Sequence, residues 1–264
     1  MNIFIRELKA NFKSLLIWSG IVFVFVLIGF SKFSAYANNP ELLVILDSMP
    51  KAILDALNMK AFNLTTVTGF YGIMYIYFGL MLSIASVMWG SDTISKEERD
   101  KTVEFSLTLP VTRGRLITAK TLAAVVNCIA LLGVTWVSTI VAAASYSPDS
   151  KFYTFLALGS LAMFIMQMIF LAIGVFLGSA MKHYKQASSL AVSILLGTFF
   201  IYIISGLNEK LDFLKYFSPF KYFNPADMLH KANIDINFVL LSVGIIAACM
   251  FGAYLTYARR DLYI

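Results

Sequence analysis

Six stretches of this chain, each 18 residues or longer, contain no Asp, Glu, Lys or Arg: 14–31, 61–91, 121–148, 152–181, 186–208 and 236–258. About 20 apolar residues cross a hydrocarbon core about 30 Å thick. Backbone in lipid must satisfy its own N–H and C=O groups, and an α-helix does so within a single segment. The expected fold is therefore all-α, a polytopic membrane protein of six transmembrane helices at about 15–32, 67–90, 121–146, 153–180, 187–207 and 237–257. Composition agrees, since 14% of the side chains are charged against about 25% in soluble domains. No internal repeat or low-complexity linker divides the chain, so it reads as one transmembrane domain over residues 1–264.

Orientation follows from the basic residues. If both ends face the cytoplasm, 13 of the 21 Lys and Arg lie in short segments beside the spans, where the positive-inside bias acts. The excess of basic charge then reflects topology and contact with anionic membrane lipid. No basic face and no RNA-binding aromatic pattern accompanies it, which argues against nucleic acid as a partner.

Several kinds of chemistry are poorly supported. Cys128 and Cys249 fall in apolar stretches and suit packing, while His183 and His230 are expected on opposite sides of the membrane, so a metal site is not expected. No paired carboxylates, His cluster or Ser with a base partner lies in a span, as an intramembrane enzyme would need. An ion- or proton-coupled secondary transporter is the alternative reading of a six-span chain. Such proteins rely on ionisable groups inside the membrane, and these six stretches have none of the acidic or basic kind.

The connecting segments carry further expectations. Phe4, Leu8 and Phe12 recur every four residues, with Arg6, Lys9 and Lys13 on other faces, which predicts an interfacial amphipathic helix over 1–13. A cleaved signal peptide competes with that reading, but the apolar run exceeds the 7–15 residues usual for one. Residues 33–60 are too short and too charged to span, and should lie on the outer leaflet. Phe70, Tyr71, Tyr75, Tyr77 and Phe78 in the second span suit lipid contact and interfacial belts better than a substrate path. Asn127, Thr135, Trp136 and Ser138 in the third span and Gln167 in the fourth read as polar glue between helices. Gly174 and Gly178 are spaced for close helix approach, within one subunit or between two. Phe213, Phe217, Phe220, Tyr222 and Phe223 lie among lysines in 208–235, where Pro219 and Pro225 favour broken helices.

The charged stretch 91–120 stands apart, holding eleven of the charged side chains between two apolar runs. Ser95 followed by Glu98 matches a capping box, which predicts a helix from about Lys96 to Pro110. Val103 and Leu107, four apart, share one face of it, and Glu97, Glu98, Arg99 and Glu104 supply charge.

These residues carry a resemblance. The order Ile94, Glu97-Glu98, Thr102-Val103-Glu104, Leu107, Leu109-Pro110-Val111-Thr112-Arg113 and Lys120 is similar to the loop after the second span in type 2 ABC-transporter permeases. Lys101 and Val103 replace the Gly and Leu common there. The run Ser218-Pro219-Phe220-Lys221-Tyr222-Phe223-Asn224-Pro225 also resembles the segment before that family's last span. The resemblance implies an elbow helix at 1–13 and a cytosolic coupling helix using Ser95, Glu97, Glu98, Arg99, Thr102, Val103, Glu104, Leu107 and Pro110. It further implies an outer cap of short helices using Pro219, Phe220, Tyr222, Phe223 and Pro225. The function implied is the non-catalytic membrane subunit of an ABC exporter in a bacterial plasma membrane, with both termini cytoplasmic. No Gly-x-x-x-x-Gly-Lys-Ser/Thr loop is present, so ATP and Mg would be bound by a separate ATPase, in two copies. A second permease, identical or related, would complete the twelve spans. Cargo is expected to be amphipathic: an antimicrobial peptide, drug or lipid-like molecule.

Overall fold

The computed structural model describes residues 3–37, 62–99, 111–181, 184–207 and 209–259. Among them it has no strand and eight α-helices, joined in one place by a 3-10 helix. Six are long and apolar enough to cross a membrane: α1 (Ile3–Tyr36), α2 (Val67–Arg99), α3 (Arg113–Ala144), α4 (Ser150–Ala180), α5 (Tyr184–Leu207) and α8 (Ile236–Arg259). Between α5 and α8 lie the 3-10 helix (Glu209–Phe217), α6 (Pro219–Tyr222) and α7 (Pro225–Lys231).

The first four spanning helices have 34, 33, 32 and 31 residues, which at 1.5 Å per residue makes them about 46–51 Å long. They overrun the hydrocarbon core at one or both ends. The separate elbow expected over 1–13 is thus replaced by an unbroken α1, with Phe12 exposed and Glu7 buried. Nothing interrupts the helix between Lys13 and Ser14, because the charge-free window marks where lipid begins and leaves the helix end unspecified. The third helix likewise starts at Arg113 instead of near 121. Thr112 caps it, its side chain accepting from Arg115 N at 3.3 Å.

Helices α2 and α4 form the centre. About two thirds of the apolar window of each is buried, against 17%, 22% and 11% for α1, α5 and α8. These two pack on each other most extensively, with α1 against α3, α8 along α4 and α5 against α2. The glycine pair makes this contact. A Cβ on Gly174 would meet Val87 O at 2.5 Å, and one on Gly178 would meet Ser91 O at 2.6 Å. The close approach is therefore within one chain. Small residues let backbones touch, which supplies the dispersion contacts that lipid cannot.

The aromatic residues of α2 are mostly core and not lipid-facing. Tyr71, Tyr75 and Phe78 are buried, and Tyr71 meets Phe152 and Phe155 of α4 edge-on at 5.7 and 5.4 Å; Tyr77 is exposed. The expectation of lipid contact fails for the three buried rings because α4 covers Tyr71 and Tyr75, and Phe25 of α1 packs edge-on to Phe78 at 5.6 Å. Of the polar residues expected as glue, Gln167 does bridge helices, donating from Nε2 to Cys128 O at 3.4 Å. Thr135 instead bonds its own helix at Leu131 O, and Trp136 faces outward. Asn127 is buried, and its Nδ2 has no partner among the described residues.

Candidate coupling site and distal cap

Four helices meet at one end of the bundle, the basal end: the start of α1, the last turns of α2, the start of α3 and the last turns of α8. Residues 100–112 leave α2 and enter α3 there. Helix α2 passes straight through Ser95, which is buried and donates to Ser91 O at 2.6 Å. The capping box is thereby corrected. An N-cap needs a helix that begins there, and the upstream turns of α2 already occupy that backbone, so the hydroxyl bonds back along its own helix.

Glu97, Glu98 and Arg99 lie on the last helical turn of α2. Thr102, Val103, Glu104, Leu107 and Pro110 fall outside the described residues. What the structure adds is the frame on either side of them. Ile94 of α2, Leu116 and Ile117 of α3, Val175 of α4 and Ala253 and Tyr257 of α8 form a small apolar core of their own. Lys120, buried, donates from Nζ to Thr93 O of α2 at 2.9 Å. Lys96 donates to Asn11 Oδ1 of α1 at 3.1 Å and lies 3.7 Å from Glu7. Trp89 Nε1 donates to Ser14 Oγ of α1 at 2.9 Å. Arg113 Nη1 donates to Tyr257 O at 3.1 Å and Ala258 O at 3.4 Å, with its guanidinium 5.9 Å from the Tyr257 ring. Thr118 Oγ1 and Tyr254 Oη lie 2.7 Å apart.

Of the two flanks of residues 100–112, the end of α2 is thus bonded to α1, the start of α3 to α8, and the two to each other. Sequence reasoning missed Glu7, Trp89, Tyr254 and Tyr257. Only the pairing of basic and aromatic residues at span ends hinted at them, and nothing in the sequence says which ends adjoin.

The other, distal end holds the segment before α8. Ser218 Oγ donates to Thr198 O of α5 at 2.8 Å. Phe220 is buried between Phe170 of α4 and Phe199 of α5, each with ring centroids 5.3 Å away. Phe170 lies 20 residues into α4, so α6 is sunk well into the bundle. Irregular backbone at such depth is tolerated where protein covers it, and Pro219, Phe220, Tyr222, Phe223 and Pro225 are all buried. Tyr222 stacks on Phe238 of α8 at 5.1 Å and 11°. Its hydroxyl donates to Tyr216 O at 2.6 Å, and burial pushes its pKa up. The five expected cap residues are therefore brought together. Asn224 accepts from Ala226 N at 3.1 Å and starts α7 with Pro225. On the exposed side Lys215 donates to Asp212 at 2.6 Å, which raises the lysine's pKa.

A cavity of about 800 Å³ opens at this distal end, with Phe33, Tyr146 and Phe155 among its walls and Thr66, Thr68, Asp149, Lys151 and His230 supplying polar atoms.

A family model described as ABC-2 family transporter protein matches residues 1–262. The chain belongs to that family. It is a multi-pass membrane protein, and the ABC-2 match runs over all six long apolar helices. No curated protein matches the chain. In this ABC-2 protein no group of three or more His, Cys, Asp or Glu side chains is placed to hold a metal ion, among the described residues.

Proposed function

We propose that this protein is the permease subunit of an ATP-driven exporter. Two copies of a separate ATPase would bind ATP and Mg, and a second permease, identical or related, would complete the path. The observation that carries the reading is the braced basal frame, in which the end of α2 is bonded to α1, the start of α3 to α8, and the two flanks to each other. A segment held this way suits transmission of a partner's motion. The basal end is then cytosolic, and the membrane is a bacterial plasma membrane. The sunken α6–α7 segment would close the outer exit, and cargo would be amphipathic, since the spans offer aromatic and hydroxyl groups but few charges.

Residues 94–110 are assigned the contact with the ATPase, through Val103 and Leu107 as an apolar anchor and Glu97, Glu98, Arg99 and Glu104 as rim charges. Rim charges mainly set encounter and orientation, whereas a charge driven into an apolar contact costs several kcal/mol. Val103→Asp and Leu107→Asp are expected to lose co-purification of the ATPase, and Glu98→Ala to retain most of it. Wild-type co-purification and ATP hydrolysis with both aspartates would overturn the assignment.

Orientation has its own test, in a background lacking Cys128 and Cys249. Asn233 and Thr112 are exposed at opposite ends of the bundle. Asn233→Cys should react with an impermeant thiol reagent on whole cells and Thr112→Cys only after lysis. The reverse pattern would invert the topology.

A further inference from the structure

We infer that Arg113 is a positioning residue that latches the basal segment to the last span, so that movement of residues 100–112 is passed to α8. The inference rests on the ATPase-coupled reading and names the part that carries the motion onward. The last four carbonyls of a helix have no partner within it, and a cation near them also meets the negative end of the helix dipole. In α8 (Ile236–Arg259) two of those carbonyls, Tyr257 O and Ala258 O, accept from one guanidinium nitrogen at 3.1 and 3.4 Å. The same guanidinium lies 5.9 Å from the Tyr257 ring, a cation–π contact.

Arg113 is the first residue of α3, directly after the Thr112 cap. Next to it, Thr118 pairs with Tyr254 at 2.7 Å, and Leu116 and Ile117 pack with Ala253 and Tyr257. Elsewhere α8 lies chiefly along α4. The α3–α8 contact is therefore concentrated at the basal end, where a pull on the first turn of α3 would tilt α8 against α4. A lysine cannot reproduce this contact fully, because it lacks the planar fork and stacks less well on a ring.

The test uses the complete complex with its co-expressed ATPase, in proteoliposomes and a background lacking Cys128 and Cys249. Spin labels are placed at Tyr153→Cys on α4 and Ile236→Cys on α8, both exposed. Their separation is measured with and without ATP, Mg and vanadate. A nucleotide-dependent shift is expected in the otherwise unaltered complex, a smaller one with Arg113→Lys, and none with Arg113→Gln, while the ATPase remains bound in all three. Thermal unfolding of the Arg113→Lys complex close to that of the parent separates the latch from a general loss of fold. A full shift in Arg113→Gln, or no shift in the parent, would overturn the latch. So would loss of the ATPase with either variant, since Arg113 would then be a docking contact. If the unaltered permease binds no ATPase at all, the proposed function itself fails, an outcome distinct from a bound ATPase with an indifferent Arg113.

Discussion

Gly174→Leu is expected to prevent assembly of the six-helix bundle, while Gly197→Leu leaves it folded. The two positions are both helical glycines in apolar spans, and only their surroundings differ. A Cβ at Gly174 would sit 2.5 Å from Val87 O and 2.8 Å from Ser91 N, and one at Gly197 would meet nothing within 4 Å. The atoms in the way at Gly174 are backbone, so no rotamer change relieves the clash. Gly90 makes the reciprocal approach, its added Cβ pressing on Leu171 O. Extra volume in a packed core typically costs about 1–3 kcal/mol and more where the backbone must move. Here α2 and α4 would have to separate, and they are the pair on which the other spans rest. Size-exclusion profiles and thermal unfolding in detergent would show it. A wild-type profile for Gly174→Leu would mean that the central helix pair is packed differently.

The second large effect is expected at the distal end. Phe220→Ala should release the segment between α5 and α8 without unfolding the bundle. Its ring is wedged between Phe170 of α4 and Phe199 of α5. Truncating a buried Phe to Ala typically costs about 3–5 kcal/mol. The loss falls on a short element whose other ties include the Ser218–Thr198 bond, the rings of Tyr222 and Tyr216 against Phe238, and buried Met228. Local opening would then approach the ease of a surface loop. Hydrogen exchange of amides in 209–231 should quicken markedly, with those in α2 and α4 unchanged. Phe220→Leu, which keeps much of the volume, should be milder. If exchange in 209–231 stays at its wild-type rate, the segment is held by something other than this ring.

The spans were readable because lipid punishes charge so steeply. All six charge-free windows fall on the six long helices. The broken helices before the last span were readable for a related reason: Pro219 and Pro225 cannot continue a helix, and aromatic residues around them need cover. Helix ends were harder to read. Ser95 and Glu98 have the spacing of a capping box, yet a serine hydroxyl serves equally well bonding back to the carbonyl four residues earlier. Which it does depends on whether the helix before it has already ended.

The amino-acid sequence by itself determined the class of fold, the number of crossings and the places where crossing must stop, since each follows from the local cost of putting a charge or an unsatisfied amide into hydrocarbon. Only the tertiary structure decided which spans lie at the centre and which groups meet at the basal end. Lys120 reads as an ordinary flanking charge until Thr93 O is placed 2.9 Å from it, and Arg113 as part of a basic turn until the end of α8 arrives. Gly174 and Gly178 announce a close approach but not its partner, which is set by the depth and rotation of α2 against α4. Hydrophobicity acts residue by residue and is written along the chain. Contacts between helices far apart in sequence depend on the packing of the whole bundle, and no single segment encodes them.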